Sequence, residues 1–276
     1  MDKLKGLPHL YYFNLDRRTD RRDYMESQFD RWEIKNFTRI SGDRFLASEV
    51  KEWEHLVIDE EIIFQAPAVA TSINHILFFK EWLEKTNDPY LLIMEDDYDL
   101  SLIEHWNFDY NYMMNRIPRN WDCVQLGYEN RKLLHFFLHP ILIGSGFGPC
   151  ILTRHYVEKL VKIHYIDGKF FLLSNKSHMA VREIWGLLDN FVTKDGVTYC
   201  LPLITNNPDL DSDHGGDEKM PVRPWHFECR DLYYWWWTEM HHQFSLDDFF
   251  TYHKVNDWKM TKNLEFLNKK GLFYYT

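Results

Sequence analysis

Three consecutive acidic residues are the strongest candidates for a ligand-binding site in this sequence. Glu95, Asp96 and Asp97 directly follow the apolar run 91–94. An uninterrupted apolar run bounded by turn residues predicts a strand that is buried on both faces of a sheet. Because an unpaired charge is costly to bury, the acids must meet water or a cation where the strand ends. Two carboxylates at the carboxyl end of a strand suit a hard divalent ion that also binds substrate phosphates. An ordinary acidic turn after the strand is the alternative.

The four arginines at 17, 18, 21 and 22 form a second group that could bind a ligand. The aromatic strand predicted at 10–14 leads into LDRRTDRR at 15–22, and a helix is predicted to follow through about Trp32, capped by Thr19 or Asp20. A helix N-terminus and guanidinium groups both attract phosphate. Successive helical residues point about 100° apart, so the four arginines cannot all face one ligand. The alternative is a solvated helix start whose arginines are neutralised by neighbouring aspartates.

The elements around these residues must bring them together. The helix predicted at 68–85 leads directly into the acid-bearing strand, so its buried side packs beside the acids. Asn74 and His75 interrupt its apolar face, although a lone histidine there is usually a satisfied core residue. A second strand is predicted at 36–40. Gly42 after it either lets the backbone approach a ligand closely or forms an ordinary turn.

Other segments have strand or helix patterns of their own. Asp189 lies near the carboxyl end of the helix predicted at 179–191, where the helix dipole disfavours a carboxylate. This unfavourable position is a mild indication of function. Glycines at 144, 146 and 148 are predicted to form a flexible loop that feeds a strand rather than a phosphate loop. The predicted strands are 121–126, 149–152 and 197–201, and the predicted helices are 48–55, 101–115, 154–163 (capped by Thr153) and 179–191.

An acidic loop follows the last predicted strand. The segment NNPDLDSDHGGDE at 206–218 is only superficially like a calcium loop, because the EF-hand pattern requires Gly where His214 stands and Glu where Met220 stands. Two interpretations stay open. The segment is either a flexible acidic loop, or it folds over the acids at 95–97 and brings His214 or an aspartate to the same ion.

Composition limits the classes of function. The chain has 276 residues and a formal net charge of −10, which argues against a nucleic-acid-binding protein because such proteins usually carry a basic face. Its four cysteines are widely spaced, which favours free thiols in a reducing compartment over a zinc cluster or a disulfide framework. Neither a signal peptide nor an apolar stretch of about 18 residues is visible, so a cytoplasmic protein is expected.

Aromatic residues are dense, with 11 Trp, 16 Tyr and 20 Phe. They are prominent in the C-terminal segment 221–276, which is predicted to be helical and to pack on the sheet, with some aromatics left for a binding surface. His241 and His242 are adjacent, so they point in different directions on a helix and do not form a metal-binding pair.

Taken together, four motifs resemble glycosyltransferase family 25, which includes lipooligosaccharide glycosyltransferases and collagen galactosyltransferase domains. The order and spacing hold over roughly 10–210, and Asn74 stands where the family usually has Ser. The motifs are FNLDRRTDRR at 13–22, Asn74-His75 followed by IMEDD at 93–97, Asn120-Trp121-Asp122 through Leu126-Gly127, and GFGPCILTRHYVEKL at 146–160.

The resemblance implies a GT-A-like fold, that is, an α/β, Rossmann-like domain with a mostly parallel central sheet flanked by helices. This domain would span 1–220, with 221–276 packed on it. A nucleotide-sugar donor, typically a UDP-hexose, and a divalent ion, Mn²⁺ or Mg²⁺, are implied as well. Asp97 is the expected direct metal ligand, with Glu95 beside it and His214 as the candidate third ligand. The implied donor-binding residues are Asn14, Leu15, Arg17, Arg21, Gly42, Asp43, His75, Glu95 and Asp96.

The resemblance also implies inversion at the sugar carbon, which requires a base that takes a proton from the acceptor hydroxyl. Asp189, in LLDNF, matches the neighbourhood of a family aspartate on the acceptor side, and Asp122 and Asp213 are alternatives. The acceptor would be a glycan or a glycosylated or hydroxylated protein.

Two other classes of function compete. A carbohydrate-binding protein that has lost turnover is suggested by the aromatic C-terminal third and by Asn74. A nucleotidyltransferase would normally carry a Gly-rich loop after the first strand, where this chain has Leu15-Asp16-Arg17.

Overall fold

A computed structural model describes residues 2–58, 66–129, 134–141, 147–172, 188–211 and 224–251. The strands are β1 Leu10–Asn14, β2 Phe37–Ser41, β3 Tyr90–Glu95, β4 Tyr98–Asp99, β5 Cys123–Gln125, β6 His139–Pro140, β7 Cys150–Thr153, β8 Tyr165–Ile166, β9 Lys169–Phe170, β10 Thr198–Cys200 and β11 Thr205–Asn206. The helices are α1 Thr19–Arg31, α2 Val50–Trp53, α3 Ala66–Lys85, α4 Tyr110–Arg116, α5 Arg154–His164, α6 Leu188–Lys194, α7 Pro224–Trp235 and α8 Leu246–Phe250.

A seven-stranded sheet in the order β2-β1-β3-β7-β5-β10-β6 forms the centre of the molecule. The strands β2, β1, β3, β5 and β10 share one direction, because β7 pairs antiparallel with both β3 and β5, while β6 runs antiparallel to β10. This is a mixed α/β architecture with a mostly parallel central sheet flanked by helices. It is consistent with a Rossmann-like fold, and it gathers the carboxyl ends of five strands at one edge.

Strand β3 is buried on both faces, as its apolar run predicts. Leu92 and Met94 belong to a core cluster on one side of the sheet, and Leu91 and Ile93 belong to a cluster on the other side. All four side chains are at most 2% exposed. The acids that follow therefore begin where apolar burial ends.

Helices cover both faces of the sheet. Met25 and Phe29 of α1, Met113 of α4 and Leu232 of α7 enter the first core cluster. Helices α3, α5 and α6 supply the second cluster, and α3 packs against both of the others. The middle turns of α3, at 72–79, are buried all round, and the polar residues Ser72, Asn74 and His75 are among them.

Two local predictions are wrong. Neither Thr19 nor Asp20 caps α1, because the residue before the helix is Arg18 and the Asp20 carboxylate accepts hydrogen bonds from its guanidinium instead. The single helix predicted at 101–115 is interrupted after a short 3₁₀ turn, where Trp106 and Phe108 enter the core. A new helix, α4, then begins after Asp109, whose side chain accepts from Tyr112 N.

The described part of the aromatic C-terminal segment packs into the main core. Tyr233, Trp236, Trp237, Phe249 and Phe250 are at most 5% exposed and share the first cluster with β1 and β3. The four cysteines are buried and free. Among the described helices, none is both long enough and apolar enough to cross a membrane.

Candidate functional site

Strand register brings the two sequence motifs together. Phe13 of β1 lies opposite Glu95 of β3, and Asn14 lies opposite Ser41 of β2. The arginine-bearing turn after β1 and the acids after β3 therefore leave the sheet side by side at its carboxyl edge. Gly42 follows at the end of β2, and its N–H donates to Asn14 O at 3.0 Å.

A buried polar network joins the two motifs. Arg21 Nη1 donates to Asp96 Oδ1 at 2.6 Å, and Asn14 Nδ2 donates to Asp96 Oδ2 at 2.7 Å. Asn14 Nδ2 also donates to Arg18 O at 3.0 Å, which fixes the turn that follows β1. Arg21 Nη1 lies 3.7 Å from Asp97 Oδ2. Asp96 is therefore engaged on both oxygens, whereas Asp97 is held by a longer contact and is 31% exposed.

A cavity of about 160 Å³ opens beside this network. Arg17 and Asp97 both line it, so the arginine turn and the acids share one space. Of the predicted donor-binding residues, Asn14, Leu15, Arg17, Arg21, Gly42, His75, Glu95 and Asp96 line the cavity. Asp43 does not line it, and its carboxylate instead accepts from Asp16 N at 3.2 Å. The remaining wall is largely apolar, with Phe45, Leu46, Ala47, Pro67 and Ala70.

Negative charge accumulates at the edge of this cavity. Burial, followed by the neighbouring carboxylates of Asp97, Asp96 and Glu129, raises the pKa of Glu95 well above its usual range. Burial also raises the pKa of Asp97 to about 6, although Arg21 opposes that shift. Three acidic side chains and two arginines line the cavity, so a divalent cation would relieve the repulsion between the carboxylates.

Glu95 and Asp97 fit a metal ion whose remaining ligands come from a substrate and water. In the described ranges, no three His, Cys, Asp or Glu side chains group so as to hold a metal ion. Asp97 and Glu95 offer two carboxylates, while Asp96 is already engaged by Arg21 and Asn14. A hard ion such as Mg²⁺ is often bound by one or two carboxylates, with substrate phosphates and water completing its shell.

Helix α3 contributes two buried polar residues to the cavity wall. Asn74 Nδ2 donates to Gly42 O at 2.9 Å and to Phe45 O at 3.0 Å, so it fixes the loop after β2. His75 Nδ1 donates to Thr71 O at 2.8 Å, and its ring stacks on Phe13 with centroids 3.7 Å apart. Burial lowers the pKa of His75 to about 3, so the imidazole is neutral. This neutral, stacked ring shapes the wall rather than adding charge.

Of the candidate bases Asp189, Asp122 and Asp213 and the candidate metal ligand His214, only Asp122 has a described side chain. Asp122 lies at the amino end of β5, where its carboxylate accepts from Val197 N at 2.8 Å, so it faces the wrong edge of the sheet. Asp189 is the second residue of α6, which continues to Lys194, so the prediction that it lies near the carboxyl end of a helix is wrong. Its side chain, like His214 and Asp213, lies outside the described part.

Sequence reasoning missed a second group of polar residues at this edge. Glu129 Oε2 lies 3.2 Å from His226 Nδ1, and His226 Nδ1 lies 2.8 Å from Asn206 Nδ2. Both Glu129 and His226 act on the pKa of Asp97, the carboxylate raising it and the imidazole lowering it. The available signal was an acidic residue, Glu129, in the loop at the carboxyl end of β5, as Asp97 is in the loop at the carboxyl end of β3.

No protein family model and no curated protein matches the sequence. Among solved structures, the crystal structure of A197 from STIV is similar to this chain at 13% sequence identity, covering 71% of this chain and 82% of that one. The TM-score is 0.38. A similarity of that size carries no argument about fold or function.

Proposed function

We propose that the protein is a metal-dependent inverting glycosyltransferase. It would move a hexose from a nucleotide-sugar donor, with UDP as the expected nucleotide, to a hydroxyl acceptor. The observation that carries the proposal is that Arg17 and Arg21 line the same cavity as Glu95 and Asp97. Guanidinium groups and carboxylates that line one cavity suit a diphosphate bound together with a divalent ion.

The roles of the residues follow from their contacts. Arg17 and Arg21 would bind the diphosphate oxygens, and the buried pair that Arg21 makes with Asp96 fixes its position before the ligand arrives. Glu95 and Asp97 would hold Mn²⁺ or Mg²⁺, which when bound offsets the negative charge that develops on the leaving diphosphate. The apolar wall around Phe45 and Leu46 would accommodate the nucleoside.

The architecture supports the proposal at the level of the fold. A sheet with five strands in one direction, and with the cavity at their carboxyl edge, agrees with the GT-A-like domain that the sequence resemblance implies. Asp189 as the base and His214 as a metal ligand stay predictions, because neither side chain belongs to the described part.

Calorimetric titration with UDP-galactose and UDP-glucose, with and without Mn²⁺, tests the proposal. We expect saturable binding of at least one donor that weakens at least tenfold when the metal is removed by chelation. Absence of metal-dependent binding for these donors, and for the corresponding GDP and CDP sugars, would overturn it. Circular dichroism of the same samples checks that chelation leaves the fold intact.

A further inference from the structure

The group that sequence reasoning missed lies directly beside the proposed donor site. Tyr98 and Asp99 pair antiparallel with Asn206 and Thr205, and Asn207 N donates to Asp97 O at 2.6 Å. This pairing anchors Asn206, whose amide in turn lies 2.8 Å from His226. Asp97 and His226 are thus connected through Asn207 and Asn206, which contact them in turn.

Glu129 reaches the same place from strand β5. Its Oε1 lies 3.5 Å from the Tyr98 hydroxyl and its Oε2 lies 3.2 Å from His226 Nδ1. The side chains of Glu129 and His226 are 17% and 21% exposed, so both are held by protein contacts and keep some contact with solvent. A carboxylate oriented by an imidazole and partly open to solvent is a suitable proton acceptor.

An exposed aromatic ring adjoins this pair. Trp225 is 36% exposed and stacks on the His226 ring, with centroids 5.6 Å apart and an angle of 24° between the planes. An indole face packs well against the apolar C–H face of a pyranose, and the sugar hydroxyls at the ring edge then stay free for polar partners. The ring therefore points to a carbohydrate rather than to a small polar ligand.

Glu129 lies on the same side of the site as the acids after β3. Strands β3 and β5 are separated in the sheet only by β7, and Glu129 contacts the hydroxyl of Tyr98, the residue that follows Asp97. An acceptor hydroxyl held at Glu129 would therefore lie close to a donor bound at Asp97.

We propose that Trp225, His226 and Glu129 form an acceptor subsite for a glycan, with Glu129 as the base. This inference rests on the proposed function. The acceptor hydroxyl oxygen forms a bond to the anomeric carbon of the donor while its proton moves to a Glu129 carboxylate oxygen. The bond from the anomeric carbon to the diphosphate oxygen breaks, and its electron pair leaves with the nucleoside diphosphate. Glu129 then returns the proton to solvent.

The sugar-binding half of the inference is tested without a donor. Saturation-transfer NMR with methyl β-galactoside, methyl β-glucoside and methyl α-mannoside should detect binding of at least one of them by the wild type, and Trp225→Ala should weaken it at least tenfold. Tyr90→Ala is the matched control, because Tyr90 is 38% exposed and stacks on Trp121 at 5.4 Å, at the opposite end of β3. Equal binding by wild type and Trp225→Ala, or no binding of any glycoside, overturns the subsite.

The role of Glu129 is tested by UDP release from UDP-hexose in the presence of the best methyl glycoside. Glu129→Gln should lower kcat at least 100-fold while the calorimetric Kd for UDP with Mn²⁺ stays within twofold of wild type. Retained turnover in Glu129→Gln, or a donor-binding wild type without turnover, overturns that role. Failure of the wild type to bind UDP and UDP-hexoses counts against the proposed function instead. The glycoside-binding measurement then tests the subsite separately.

Discussion

Arg21 Nη1 lies 2.6 Å from Asp96 Oδ1, and the two side chains are only 8% and 7% exposed. The pair joins α1 to the end of β3, and Asn14 of β1 completes it through its bond to the other Asp96 oxygen. The consecutive elements β1 and α1 are thereby held against the end of β3, which is remote from them in sequence. A buried charge pair of this kind is costly to break because the remaining charge has no equivalent partner.

Asp96→Asn should therefore destabilise the protein strongly. We expect a loss of about 3–5 kcal/mol in the free energy of unfolding, since Arg21 keeps its charge in a buried position. Urea denaturation followed by circular dichroism measures it. The control is Glu104→Gln, which removes an exposed partner of Arg31 and should cost less than about 1 kcal/mol. Similar losses for the two variants would contradict the structural role of the buried pair.

Asp97→Ala should separate ligand binding from stability. Asp97 is one of several mutually repelling carboxylates, so its removal should leave the melting temperature unchanged or raise it. The affinity for UDP in the presence of Mn²⁺ should fall at least 100-fold in calorimetry. Asp30→Ala removes a solvent-exposed carboxylate and should change neither quantity. A collapse of the melting temperature in Asp97→Ala would show instead that Asp97 stabilises the fold.

His75 should make the stability depend on pH. Burial lowers the pKa of His75 in the folded state from 6.5 to about 3. Below pH 6.5 the unfolded chain therefore binds a proton at His75 that the folded chain does not bind. Stability should therefore decrease as the pH falls from about 6.5 towards 3, by about 2 kcal/mol at pH 5 from this group alone. His75→Phe keeps a ring against Phe13 and should lose this contribution. Urea titrations of both proteins at pH 7 and pH 5 measure the difference, and parallel profiles would contradict it.

Gly148→Ala should destabilise the carboxyl edge of the sheet. A Cβ at this position would collide with the backbone carbonyl of Gly127, which cannot move without disturbing the end of β5. We expect a loss of about 1–3 kcal/mol in the free energy of unfolding. Gly42→Ala is the matched control, because its Cβ would lie 3.1 Å from the flexible end of Leu15. Equal unfolding midpoints for the two variants would contradict the close backbone contact.

Elements with strong local signals could be predicted from the sequence. The apolar run before Glu95 predicts β3, and the burial of its four apolar residues confirms that prediction. The helix predicted at 154–163 with Thr153 as its cap is confirmed as α5, and the Thr153 hydroxyl accepts from Tyr156 N at 3.2 Å. In both cases the signal that predicts the element lies within a few consecutive residues.

Features that depend on remote partners could not be predicted. The insertion of β7 between β3 and β5 depends on which strands pair, and the apolar sequence of β7 does not indicate its partner strands. Glu129 and His226 meet only because two-residue strands, β4 and β11, hold Asn206 beside them. Such short strands have no periodicity to detect. The sequence motifs consequently located most of the residues that line the cavity and missed Glu129 and His226.

The four buried cysteines give the protein an internal reporter of opening. Cys123, Cys150 and Cys200 belong to three neighbouring strands at the centre of the sheet, and burial raises the pKa of Cys150 and Cys200 well above the usual range. A thiol that is both inaccessible and protonated resists alkylation. The rate at which iodoacetamide labels these positions therefore measures how often the strands separate, without any engineered probe.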